Sequence, residues 1–242
     1  MRPVTRLFLL ATSSTLAMAC GDSTEVSAPD AGMSDAPTHA TTTVFLNFDG
    51  VQITKGQPDD PATNTSIFVR PPGVTVAPWH DGMPGRDASI AAITAGARAI
   101  VAPYAIEVVT TRPTSGLYDM VVFGGASQDL FGAPGVRFAN GADCNGRPEI
   151  SFITELVTDD QVAASLVVAF LGEARLVPRT IASGDCMCLD SACMPRPGEL
   201  CNIGGPGTPT GSLPLICSQS GDPPAPPTID EHALFLDRFG AR

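Results

Sequence analysis

The chain has 242 residues, 43% of them hydrophobic, and a formal charge of −11. That length supports one domain with a sizeable core. The acidity excludes a nucleic-acid partner held by basic patches.

Residues 1–19 read as a targeting segment. Arg2 and Arg6 form a charged front, Leu7 to Met18 an apolar run, and Ala17-Met18-Ala19 a small-residue cleavage region. The run, about 12 residues, falls short of the roughly 20 that span a bilayer. Cleavage before Cys20 removes both arginines and leaves −13. Ala-Met-Ala-Cys resembles a bacterial lipobox, with Met18 where that motif takes a smaller residue. The resemblance implies a signal peptide of the lipoprotein type, lipidation at Cys20 and a membrane-anchored lipoprotein of the bacterial cell envelope. The alternative is plain secretion with Cys20 as an odd thiol. Residues 20–43 hold almost no large apolar side chain and read as a disordered tether, with His39 incidental within it.

The folded body starts with a strand over Val44 to Phe48, closed by Asp49-Gly50. Val51 to Ile67 is expected to form a hairpin or loop; its Asp59, Asp60 and Asn64 match no calcium-loop spacing and read as turn residues. Val69 to Gly85, broken by prolines, carries the only Trp, Trp79, beside His80, expected at the surface. Asp87 to Ala102 has helical spacing, with Asp87 as cap and Pro103 as stop. Strands follow at Ile106–Thr111, Tyr118–Phe123 and Glu149–Thr154, with a short edge strand within Gly135–Ala139.

From Asp159 to Met187 the chain reads DDQVAASLVVAFLGEARLVPRTIASGDCM: a buried helix, a break at Pro178, and a turn closing on Met187. Thr158, with Gln161 three residues on, fits a capping box. This stretch resembles the zinc helix and Met-turn of metzincin-type metalloproteases, secreted bacterial ones in particular, whose motif is H-E-x-x-H-x-x-G-x-x-H. In that register the ligand slots hold Ala169, Glu173 and Arg179, the base slot Phe170, the glycine slot Leu176, and the turn methionine is Met187. The resemblance implies an α/β (α+β) body over residues 44–187, one metzincin-like mixed sheet of about four to five strands with two long helices. It also implies a lost zinc site in which Glu173 and Arg179 face each other as an ion pair, closed by Phe170. Ala169 has no lone pair, Phe170 is no base and Arg179 stays protonated, so no zinc cofactor and no catalytic residue are expected. Ser165, the one polar position in an apolar run, has no histidine near it in sequence and reads as a small buried residue.

Residues 188–242 change character. Cys186, Cys188, Cys193, Cys201 and Cys217 lie in a Gly/Pro-rich stretch, and with Cys144 they make six once Cys20 is set aside. An exported chain favours three disulfides over a zinc cluster, with fifteen connectivities open. Cys144 is the natural long-range partner, fastening these loops to the sheet. Pro223 to Pro227 form a stiff spacer, and Thr228 with Glu231 caps a last short helix that docks through Leu234, Phe235 and Phe239. Two functional classes stay open: a pseudoenzyme lipoprotein acting as a binding or structural module toward a protein or envelope partner, or a secreted zinc-dependent hydrolase with ligands such as Glu173 plus cysteine thiolates or His80.

Overall fold

The computed structural model describes residues 39–141, 148–190, 192–211 and 226–242. The expectations for residues 1–19, for Cys20 and most of the tether, for Cys144 and Cys217, and for most of the proline spacer lie outside the described residues.

In chain order, β1 (Thr42–Asn47) is followed by β2 (Val51–Lys55), β3 (Thr65–Ser66) and β4 (Gly73–Val76). Then come α1 (Arg86–Ile100), β5 (Ile106–Val109), β6 (Tyr118–Phe123), α2 (Ser127–Phe131), β7 (Phe138–Ala139) and β8 (Ile150–Ile153). The chain ends with α3 (Asp160–Ala174), β9 (Thr208–Pro209), β10 (Thr228–Ile229) and α4 (Glu231–Phe239). The expected mixed sheet forms with five strands in the order β5-β1-β6-β8-β7. Its members are parallel except β7, which runs antiparallel along β8 at the edge.

β6 and β8 are buried at every position, so they need cover on both faces. Val44, Leu46, Val121, Phe123 and Ile153 meet α1, α3 and α4 on one side. Phe45, Met120, Val122, Ile150 and Phe152 meet Ile53, Val69, Val76 and Leu130 on the other. That second layer is a three-stranded sheet, β3-β2-β4. Within it, β4 falls in the stretch read as a proline-broken loop; the strand forms because Gly73 to Val76 pair antiparallel with β2. Sequence periodicity also missed α2 and the two-residue β9 and β10, which are too short to carry a period.

Every residue of α3 from Val162 to Glu173 is buried. Each large apolar side chain so placed contributes about 1.5–3 kcal/mol. The helix can be enclosed this tightly because of two glycines. A Cβ at Gly96 on α1 would sit 2.9 Å from Ala164 Cβ, and one at Gly172 would collide with Met187 Sδ. The cap of α3 is Asp159 rather than Thr158: its Oδ1 accepts from the N–H groups of Gln161 and Val162, both at 2.9 Å. Asp159 Oδ2 also accepts from Gly198 N–H at 2.9 Å, so the capping residue ties down the Cys-rich segment as well.

The same correction applies twice more. α4 is capped by Asp230, which accepts from Ala233 N–H at 2.9 Å, while Thr228 belongs to β10. α1 starts from left-handed Gly85 with no side-chain cap, and Asp87 lies inside its first turn, where a carboxylate still favours the helix dipole.

Two disulfides close the described Cys-rich loops, Cys186–Cys201 and Cys188–Cys193, as expected of a chain folded in an oxidising compartment outside the cytoplasm. Ser165, buried as expected, donates to Gln161 O at 2.8 Å and accepts from Cys201 N–H at 3.1 Å. At the opposite sheet edge, two arginines cover the outward carbonyls of β5. Arg98 donates to Val108 O at 3.1 and 2.8 Å, and Arg242 donates to Ile106 O at 3.0 Å.

α3 ends in a Schellman turn, with Leu176 N–H on Glu173 O at 3.0 Å and Val177 N–H on Gly172 O at 2.9 Å. Leu176 therefore takes φ 62°, a left-handed backbone that suits glycine. Leu176→Gly is expected to leave stability unchanged or raise it by up to about 1 kcal/mol, because relief of the left-handed strain offsets glycine's entropy cost. Leu176→Val should lower it by at least about 1 kcal/mol, a β-branched residue being worse there. Urea denaturation of the two variants checks both. For the cysteines, two pairs of the six are now assigned, and non-reducing peptide mapping is expected to find Cys144 linked to Cys217. A free thiol at either would overturn the three-disulfide expectation.

Candidate functional site

The end of α3, the turn after it and the edge strand β7 converge on one carboxylate. Glu173 is on the last turn of α3 with a side chain only 3% exposed. Its Oε1 accepts from Arg179 Nε across the Schellman turn, in the ion pair expected from the sequence. Its Oε2 accepts from Asn140 Nδ2. Asn140 is held in turn by Ser151 of β8, whose hydroxyl donates to Asn140 Oδ1 at 3.1 Å.

Around this pair the helix is dry. Ala169 is fully buried, and Phe170 packs on Phe138 of β7 with ring centroids 5.9 Å apart. Met187 lies beneath the helix, against Gly172, in a turn fixed by Asp185 Oδ1, which accepts from Met187 N–H at 2.8 Å. The turn closes where Thr180 N–H donates to Met187 O at 3.3 Å. Two residues further along the chain from Glu173, Arg175 pairs with Asp119 at 2.8 Å. Burial pushes the Asp119 carboxyl above its ordinary value, while Arg175 and the Glu149 N–H pull it back down.

The donor set does not fit zinc. Both Glu173 oxygens are engaged, Arg179 is a cation, Ala169 offers nothing, and the four described cysteines are disulfide-bonded. His80 stacks on Trp79 at 4.2 Å, and the Trp79 indole donates to Ser89 Oγ at 3.0 Å. Ser89 bonds Asp160, so this cluster sits at the start of α3. Glu173 is 13 residues along that helix, roughly 20 Å away at 1.5 Å per residue. His232 bonds the Tyr104 hydroxyl at 2.7 Å, and His39 lies beside Gly240. Among the described residues no three His, Cys, Asp or Glu side chains converge to hold a metal ion.

Asp60 and Asn64 act in a turn, as expected: Asp60 accepts from Ala62 N–H at 2.9 Å and Thr63 Oγ1 at 2.8 Å. Asn64 takes φ 54° and accepts from Arg112. Asp59 is buried, with Oδ1 accepting from Ile67 N–H at 2.6 Å. A cavity of about 350 Å³ opens beside this turn between Pro58, Pro61, Leu117, Tyr118 and Pro148.

Sequence reasoning missed two members of this region. Asn140 carries no local signal, because the sheet edge alone brings it to Glu173. Glu231, read as the partner in a capping box, is instead fully buried. No helix among the described residues is long and apolar enough to cross a membrane. Compared with protein-family models, with curated proteins and with solved structures, the chain matches none.

Arg179→Ala would strand a buried carboxylate on a single amide. The variant is expected to lose about 2–3 kcal/mol, below the 3–5 of a fully buried pair because Arg179 is 23% exposed. Glu173→Gln should cost less, since the amide oxygen still accepts from Asn140 or Arg179. Equal losses in a denaturant titration would contradict this account.

Proposed function

We propose that this chain is an exported, lipid-anchored, catalytically inactive metalloprotease-like protein that serves as a surface binding or structural module. The observation that carries the reading is the Glu173–Arg179 pair, an acid and a cation facing each other across the turn where the metzincin register puts two metal ligands. Phe170, buried in the general-base slot, keeps water out.

Two further features support the register. The slot assigned to glycine is Leu176, and that position takes the left-handed backbone that glycine adopts without strain. The slot assigned to the turn methionine is Met187, packed directly under α3. With β2, β3, β4 and α2 as additions to it, the order β1, α1, β5, β6, β7, β8, α3 is also the one that the resemblance implies. The lipid anchor rests on the Arg2/Arg6 front, the apolar run and Cys20.

Metal analysis of the purified, disulfide-bonded protein should find no stoichiometric zinc, and a broad peptide library should show no metal-dependent cleavage. Zinc near one equivalent, with hydrolysis lost on chelation, would replace the reading with the hydrolase alternative. Mass spectrometry of the membrane fraction is expected to find Cys20 as the first residue, carrying lipid. An unmodified amino terminus at another position would remove the anchor.

A further inference from the structure

Glu231 is the first residue of α4 and has no exposed surface. Its Oε2 accepts from Gly204 N–H at 3.0 Å, and its Oε1 has no conventional donor among the described residues. The group that it faces is another acid: Asp185, 4% exposed, in the turn before the Cys186–Cys201 bridge. Both carboxyls converge on Gly204, where a Cβ would sit 2.9 Å from Asp185 Oδ2. A Cβ there would also collide with Thr208 Oγ1, so the space beside Gly204 is filled by protein.

No arginine, lysine or histidine forms an ion pair with either carboxyl among the described residues. The other titratable groups around Glu231 are Asp230 beside it, His232 after it, and Tyr104 from the segment leading into β5, bonded to His232 at 2.7 Å. None of them neutralises a charge at Glu231. Two ionised carboxylates in contact in a dry site repel strongly. An acid that keeps its proton becomes a donor and satisfies the otherwise orphaned oxygen.

We infer that Glu231 and Asp185 share one proton, and that this proton is the latch seating α4 against the disulfide-bonded turn. Losing it would leave two buried anions in contact and drive the start of α4 away from Gly204. The carboxyl-terminal segment would follow, including Phe235 and Phe239 from the core and Arg242 from the β5 edge. Burial, with Asp185 beside it, pushes the Glu231 carboxyl up from 4.5 to about 10. The folded state thus holds a proton that the unfolded chain releases above about pH 4.5, and stability falls as pH rises between those two values. Below the lower value the effect vanishes.

Glu231→Gln tests the latch on the full disulfide-bonded chain. The amide keeps the Gly204 bond and donates permanently to Asp185. Between about pH 5 and pH 9 the wild-type folding constant is expected to fall relative to the variant by up to about tenfold per pH unit. Amide exchange in α4 should quicken with pH beyond its intrinsic rise in the wild type and not in the variant. The infrared carbonyl band of a protonated carboxyl at pH 8 should weaken in the variant. A difference that does not depend on pH would overturn the proposal. So would destabilisation of the wild type alone by a chelator, which would mean that the acids hold a divalent cation. If Glu231→Gln does not fold, Asp185→Asn serves in its place: it removes the second acid, so the pH dependence should become shallower while the part due to the burial of Glu231 remains. A slope unchanged in Asp185→Asn would equally refute the shared proton.

Discussion

Water is excluded from all sides of α3, and much of the architecture follows from that. A helix whose residues Val162 to Glu173 are all buried cannot rest on a single face. The sheet lies under it, α1 beside it through Gly96 and Ala164, and the Met187 turn against Gly172. The polar atoms caught inside then become tie points, because an unpaired buried group costs about 1–3 kcal/mol. Ser165 holds Cys201, and Glu173 holds both Asn140 beside the edge strand and the turn; at the half-exposed start of the helix, Asp159 holds Gly198. In this way a Cys-rich stretch too poor in apolar residues to fold alone is drawn into the core.

Three buried acids show three ways of meeting one electrostatic problem. Asp119 has a guanidinium and a backbone N–H. Glu173 has a guanidinium and an amide, in a form that leaves no oxygen for a metal. Among the described residues, Glu231 has only a backbone N–H and a second acid. The first two gain from attraction to cations that are themselves only partly withdrawn from water, 24% and 23% exposed. The third has no such partner.

The elements with a long period or an uninterrupted apolar run were legible in the sequence. Tyr118–Phe123 was bounded to the residue and α1 to within two, while α3 ends at Ala174, four residues before the expected break at Pro178. The caps were not, since at both α3 and α4 an aspartate next to the helix takes the role that a threonine one or two residues earlier could also fill. β4 was hidden because its partner β2 lies well back along the chain, Val51 pairing with Val76 and Thr54 with Gly73, while the prolines around it are local and loud. The Glu173–Arg179 pair was expected because the metzincin resemblance puts these two residues in slots whose side chains approach one another. Asn140 and the Asp185–Glu231 contact were not, because only the folded sheet and the docked α4 bring those residues together.

The arginines along β5 have a consequence for how such chains coexist at high concentration. A free strand edge normally offers alternating acceptors and donors, a template that any extended segment can extend. Here the carbonyls of Ile106 and Val108 are already saturated by charged donors from α1 and from the last residue of the chain. An incoming strand would meet cations where it needs acceptors, and would have to displace charge-assisted bonds before forming its first ladder rung. The sheet is finished on that side, and neighbouring copies can crowd together without zipping into one another.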